Sequence, residues 1–163
     1  MKLIKINNSN IDNFNNMFEE YLEELNQYFK IEKDEYGNRR TEWLEYFYNS
    51  DFHEGYYLEI DNNLAGFCLV CDTTFYLNDN RLFLSEFFIN KKYRKNHYGK
   101  EFALEIFNYY KGNWELSVHP KNLISIKFWE KVISCVDVDY QKTYDIEGVF
   151  ENENAIIYDF TCE

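Results

Sequence analysis

From Ile11 onward, Phe14, Met17, Phe18, Tyr21, Leu22, Leu25, Tyr28 and Phe29 recur at spacings of three and four. That is the pattern of a helix with one buried face. The short β-capable "MKLIKI" precedes it, with "NNSN" supplying turn and cap residues between them. "KDEYGNRR" breaks the periodicity, and "TEWLEYFYNS" predicts a second, shorter helix with Thr41 as its cap. The pattern then changes period. "GYYLEI" and "LAGFCLVCD" flank "DNN", a hairpin signal, and "RLFLSEFFI" makes a third consecutive strand. From Tyr98, the residues Phe102, Ala103, Ile106, Phe107 and Tyr110 mark a helix stopped by "KGN". "WELSVHP" reads as a strand ended by Pro120, and "NLISIKFWEKVI" as a helix with Asn122 at its N-cap. "DVDYQKTYDI" and "NAIIYDFTC" are two final strands joined by a polar turn around Gly148. The order β-α-α-β-β-β-α-β-α-β-β is a mixed α/β domain, in which strand–helix–strand implies a parallel crossover.

Composition narrows this picture. A chain of 163 residues with 45% hydrophobic content fits one domain spanning residues 1–163. No stretch approaches the roughly 20 apolar residues of a membrane span, and the N-terminus has no apolar signal-peptide core. The expectation is a soluble cytoplasmic protein without a membrane partner, either monomer or homodimer. A net charge of −12 argues against nucleic acid as a partner, because phosphate neutralisation needs a basic footprint.

Cys68 and Cys71 form a C-x-x-C pair within a predicted strand. Residues three apart on a strand point to opposite faces, so the two thiols cannot grip one metal, and no metal site is expected. Both read as small core residues.

Against the acidic total, Lys91, Lys92, Arg94, Lys95 and Lys100 place five of the 17 basic residues in one decapeptide between a strand and a helix start. A helix N-terminus presents unpaired N–H groups and partial positive charge, which suits phosphate, and Gly99 would let a ligand approach the backbone. A solvated basic turn is the plain alternative.

"YRKNHYGKEFALEIF" resembles the acetyl-CoA signature of the GCN5-related N-acetyltransferase superfamily, Q/R-x-x-G-x-G/A, with Arg94 first, His97 at the first glycine and Gly99 at the second. "NLISIKFWEKVI" is similar to that family's following motif, N-x-x-A-x-x-F-Y-x-K-x-G-F, with Asn122, Ser125, Phe128, Trp129 and Lys131 in register. The resemblance implies a central, mostly antiparallel sheet with helices on both faces. In that fold the strands at 82–89 and 114–119 are parallel neighbours that splay apart at a β-bulge, and acetyl-CoA fills the gap as co-substrate.

Carried over by position, the N–H of Phe87 faces the thioester carbonyl, and Phe88 and Ile89 line the pantetheine. Arg94, Lys95, Asn96, His97, Tyr98, Gly99 and Lys100 wrap the pyrophosphate, while Asn122, Phe128 and Trp129 complete the cofactor site. The implied chemistry is direct attack by a primary amine of a small molecule or peptide in a ternary complex. Glu86 is the candidate general base, Phe87 N–H the oxyanion donor, and His119 a second base or water holder. Glu86 equally suits a structural hydrogen-bond network, and strict alternation sets it on the face opposite Phe87 unless a bulge re-aims it.

The chain departs from the family pattern twice. Trp129 stands where tyrosine often serves as acid, and is expected to pack only; His97 replaces a glycine, a change that a negative φ would allow, and is expected to weaken cofactor binding without abolishing it. These departures motivate the alternative of a catalytically silent acyl-CoA-binding sensor or interaction domain. The acceptor is unidentified. The acidic and aromatic content of "YLEELNQYFKIEKDEYGNRRTEWLEYFY" and of residues 136–155 suits a cation, and equally suits a soluble surface.

Overall fold

A computed structural model of the chain describes residues 1–28, 53–72, 81–150 and 153–163. Strand β1 (Lys2–Lys5) leads into helix α1 (Ile11–Leu25), followed by strands β2 (His53–Ile60), β3 (Asn63–Cys71) and β4 (Leu82–Ile89). A single 3-10 turn (Lys91–Tyr93) precedes helix α2 (Tyr98–Tyr109). Strand β5 (Gly112–Val118), helix α3 (Leu123–Ile133) and strands β6 (Gln141–Phe150) and β7 (Glu153–Cys162) complete the described elements. The strands form one seven-stranded sheet in the order β1-β2-β3-β4-β5-β7-β6. Among these strands the β4–β5 pair is parallel and every other pair antiparallel.

Two cores cover the two sheet faces. Phe14, Met17, Phe18 and Leu22 of α1 pack on Tyr57, Phe67, Leu69, Phe83 and Phe88. Phe102, Ile106 and Phe107 of α2 and Trp129, Val132 and Ile133 of α3 pack on Leu58, Cys68, Leu84, Trp114 and Tyr158 on the opposite face. The three-and-four spacing of α1 and the alternation of the strands produce this division, as period 3.6 and period 2 require. Cys68 belongs to the second core and Cys71 to the first, so the C-x-x-C thiols do lie on opposite faces, and neither forms a disulfide.

The β2–β3 turn places Asp61 at φ 50° and Asn62 at φ 61°. Both central residues of a two-residue type I′ hairpin require this conformation, and Asp and Asn tolerate it.

Three sequence expectations need adjustment. Helix α1 ends at Leu25, and Asn26–Tyr28 form a turn closed by Tyr28 N–H donating to Leu25 O at 2.8 Å. The segment Asp137–Tyr140 is not strand, because the Asp137 carboxylate accepts from the amides of Asp139 and Thr161 at 2.9 Å each and holds a turn. Strand β6 runs through Gly148 to Phe150 instead of turning there. The expected second helix at 41–50 and its Thr41 cap lie outside the described residues.

Candidate active site

The parallel pair β4–β5 is in register at Leu82↔Trp114, Phe83↔Glu115 and Leu84↔Leu116, and the pairing stops there. Its cause lies on the other edge of β4. Leu69 of β3 pairs with Glu86 and Val70 with Leu84, so Ser85 is an extra residue in the ladder, a β-bulge. The bulge bends β4 away from β5 and reverses the alternation. Leu84 faces α2 and α3, yet so do Phe87 and Ile89, whereas Phe83 and Phe88 face α1.

Asn90 N–H donates to Ala65 O of β3 at 2.8 Å. In an antiparallel ladder bonded residues alternate, so the amides of Phe88 and Glu86 also point to β3, while those of Phe87 and Ile89 point into the gap. Phe88 accordingly turns its ring toward α1 and its peptide toward β3, and presents neither to the gap. The Ile89 carbonyl accepts from Arg94 Nε at 2.6 Å.

At the upper end of the gap, helix α2 begins without a side-chain cap at its N-cap residue, His97. Its first N–H groups therefore open onto the loop, the geometry that suits phosphate. His97 is at φ 66° and Lys95 also at φ 66°. The negative φ that would admit any side chain at His97 is not the one found, and the left-handed conformation explains why a glycine suits this position. His97→Gly is expected to relieve strain of about 1–2 kcal/mol against about 0.5–1 kcal/mol of added unfolded-state freedom. Urea denaturation should show a net gain of about 0.5–1 kcal/mol; a loss of stability would show that the histidine side chain contributes more than its backbone costs.

Gly99 also serves the packing of the helix start. A Cβ there would sit 3.3 Å from Ile89 Cγ1 and 3.4 Å from Phe128 Cε2. The missing side chain lets α2 settle against β4 and α3, with the open space taken by protein.

Arg94 is engaged inside the protein. Its guanidinium donates to both carboxylate oxygens of Glu24 on α1 at 2.9 Å, in addition to the Ile89 carbonyl. Lys91 Nζ lies 3.7 Å from Glu24, and Asn90 Nδ2 donates to Glu20 at 2.7 Å. The β4–α2 loop is thereby tied to α1. Lys95, Asn96 and His97 are exposed, and Tyr98 and Lys100 are half-buried at the helix start.

On the lower flank, Asn122 caps α3 as expected, accepting from Ser125 N–H at 3.1 Å. Trp129 is buried, with Phe87 edge-on at 5.0 Å and Phe128 edge-on at 4.8 Å. Phe87 also stacks on Phe128 at 5.8 Å and tilts against Phe102 at 5.2 Å. These rings form an apolar wall beside the gap.

Glu86 projects to the α1 face, opposite the Phe87 ring, and is only half-buried. Burial among apolar neighbours pushes its carboxyl up to about 7, while a hydrogen bond from the Tyr21 hydroxyl pulls the other way. Burial and the neighbouring Glu86 charge push the Tyr21 phenol well above its ordinary range. His119 is buried on the same side, 5.8 Å from the Tyr28 ring. Its Nδ1 accepts from Lys121 N–H at 3.2 Å, which in the neutral ring places the proton on Nε2.

Tyr21, Glu20 and Glu24 are the site residues that sequence reasoning missed. Tyr21 was legible only as one apolar-face position of α1, and nothing in the sequence signals contacts between residues 65 or 70 apart. Among the described residues no group of three or more His, Cys, Asp or Glu is placed to hold a metal ion.

A model of the Acetyltransferase (GNAT) family matches residues 16–133, from within α1 to the last residue of α3. The chain belongs to that family. This GNAT fold is found in solved structures of low sequence identity. A variant of the spermidine N-acetyltransferase SpeG from Vibrio cholerae superposes with a TM-score of 0.70 at 10% identity, covering 99% of this chain and 95% of that one. A GNAT-family acetyltransferase from Bacillus cereus gives 0.68 at 12% identity, with 99% and 97% covered. A Bacillus anthracis protein solved in complex with acetyl coenzyme A gives 0.65 at 15% identity, with 100% of both chains covered. No curated protein sequence matches. The described helices of this GNAT protein include none long and apolar enough to cross a membrane.

Proposed function

We propose that the protein is an acetyl-CoA-dependent N-acetyltransferase that transfers the acetyl group to a primary amine by direct attack in a ternary complex. The observation that carries this reading is the gap itself. Strands β4 and β5 part after Leu84↔Leu116, and the amides of Phe87 and Ile89 face into the opening beside the uncapped start of α2.

Pantetheine is an amide-bearing chain that can pair with those groups as an added strand would. The pyrophosphate falls to the main-chain N–H groups from Lys95 to Lys100, with Lys95, Lys100 and the α2 dipole supplying positive charge. Acetyl-CoA bound to a neighbour of the same fold supports this assignment.

Placed this way, the thioester carbonyl lies against Phe87 N–H, which stabilises the oxyanion of the tetrahedral intermediate. The acceptor comes from the α1 face, where Glu86 takes the proton that an ammonium of pKa about 10.4 must lose before it attacks. A carboxyl held near 7 by burial is suited to that task at neutral pH. Trp129 offers no acid, and none is required, since a thiol of pKa about 8.5 leaves tolerably and takes its proton from water or from the attacking nitrogen.

The experiment is CoA-thiol release with a panel comprising spermidine, an amino sugar and a peptide with a free N-terminus, together with acetyl-CoA binding by calorimetry. Binding should weaken with added salt, because the phosphate contacts are charged. Arg94→Ala should weaken it further by freeing the loop from Glu24. Tight binding with no thiol release from any amine would favour the silent sensor, and no binding at millimolar acetyl-CoA would end the assignment.

A further inference from the structure

Helix α1 lays the phenolic hydroxyl of Tyr21 against β4, where it donates to Oε2 of Glu86. The position of that hydroxyl is set by packing. The Tyr21 ring stands edge-on to Phe67 at 5.6 Å and tilts against Phe88 at 5.8 Å and Phe18 at 5.7 Å. The helix that carries it is held to the end of β4 by Glu20 on Asn90 and by the paired bonds of Glu24 to Arg94. A rotation of α1 that withdrew Tyr21 would break all of these at once.

We propose that Tyr21 is a positioning residue for acetyl transfer: it occupies Oε2 of Glu86 and so fixes Oε1 as the oxygen that meets the acceptor amine. This rests on the reading of Glu86 as general base. In the step it supports, an acceptor ammonium gives one proton to Oε1 and becomes the attacking amine. The new C–N bond forms, the C–S bond breaks, and the departing thiolate takes a second proton from the nitrogen. The proton on Glu86 then passes to water, so the sum is amide, CoA thiol and one released proton.

Tyr21 also tunes the carboxylate. A hydroxyl donating to the ionised form favours it, so Tyr21 lowers a proton affinity that burial raises. Other titratable groups on this side, among the described residues, include Glu20 and Glu24 on α1, Tyr28 just after it, Tyr57 on β2, Cys71 on β3 and, at β5 and its end, Glu115 and His119. Glu24 is paired with Arg94, and the Cys71 thiol points to the Phe83 carbonyl at 3.8 Å. The donor on Glu86 itself is Tyr21.

The test compares parent, Tyr21→Phe and Glu86→Gln, using the best amine of the panel. It records kcat/KM against pH, the Glu86 carboxyl titration by carbon-13 NMR of glutamate-labelled protein, and acetyl-CoA affinity. Removing the donor must raise the carboxyl pKa. The acid limb of Tyr21→Phe should therefore move up by about one pH unit, a rate loss of about fivefold at pH 7 that recovers above about pH 9. Titration of the amine is common to both proteins and cancels in the comparison, and acetyl-CoA affinity should be unchanged. An equal loss at every pH, or an unmoved carboxyl titration, would overturn the positioning role while leaving Glu86 as base if Glu86→Gln is inactive. Full activity of Glu86→Gln would overturn the base, and the proposal with it.

Discussion

Glu86→Gln is expected to lower turnover by about 10²-fold or more while acetyl-CoA affinity stays nearly unchanged, the usual worth of a positioned general base. The glutamine keeps the shape of the side chain and still accepts the Tyr21 hydroxyl, so the variant removes a proton acceptor and little else. Its stability provides a control with a definite sign. The folded Glu86 carboxyl is raised from 4.5 to about 7 by burial. A group raised on folding favours the fold fully below its unfolded value, and that contribution is lost as pH rises through the folded value. Parent stability should therefore fall between about pH 4.5 and 7 through this residue, and Glu86→Gln should flatten that part of the profile. At pH 8 the variant should be at least as stable as the parent. An inactive variant that melts early at pH 8 would implicate folding, and a stable variant with parental turnover would remove Glu86 from the chemistry.

Gly66→Ala is expected to cost about 3 kcal/mol of folding stability, the upper part of the range for overpacking. A Cβ at Gly66 would lie 2.3 Å from the Phe88 carbonyl oxygen and 2.8 Å from Ile89 Cδ1. A side-chain tip can rotate away, but a strand carbonyl cannot, so β3 and β4 would have to separate. Phe88 lies between the two residues whose amides face the gap, so the same displacement should weaken acetyl-CoA binding by more than tenfold. Gly55→Ala is the comparison. Its Cβ would meet Ile6 Cδ1 and Leu69 Cδ2 at 2.9 Å each, both flexible ends, and should cost about 1 kcal/mol without altering the gap. Denaturant midpoints and calorimetry on the three proteins test both statements. Equal costs for the two alanines would show that the β3–β4 ladder yields more readily than a hydrogen-bonded strand pair should.

The candidate site was legible in part because some of it is local. The basic run from Lys91 to Lys100, the uncapped helix start and the Asn122 cap are each fixed by residues within a few positions of one another, and the two family motifs contain them. Glu86 and Phe87 could be named as neighbours on one strand, and their opposite faces followed from alternation. The packing at Gly99 was not legible, because a glycine that admits a ligand and one that admits a neighbouring helix look the same in sequence. The φ of His97 was not legible either: the loop path, not the residue, imposes the left-handed conformation.

Order and type of the described elements came from hydrophobic period and turn chemistry, which act over one or two turns of chain. The seven-stranded sheet with its two cores follows from that pattern, since each apolar face must be covered. The sequence does not mark Ser85 as the bulge, because the bulge exists only in the register between β4 and β3. Nor does it mark Arg94 as the partner of Glu24, or Tyr21 as the partner of Glu86, 70 and 65 positions apart. Those contacts arise when α1 packs across β3 and β4, and there the tertiary structure decides which charges are spent within the fold and which carboxylate oxygen of Glu86 the Tyr21 hydroxyl occupies.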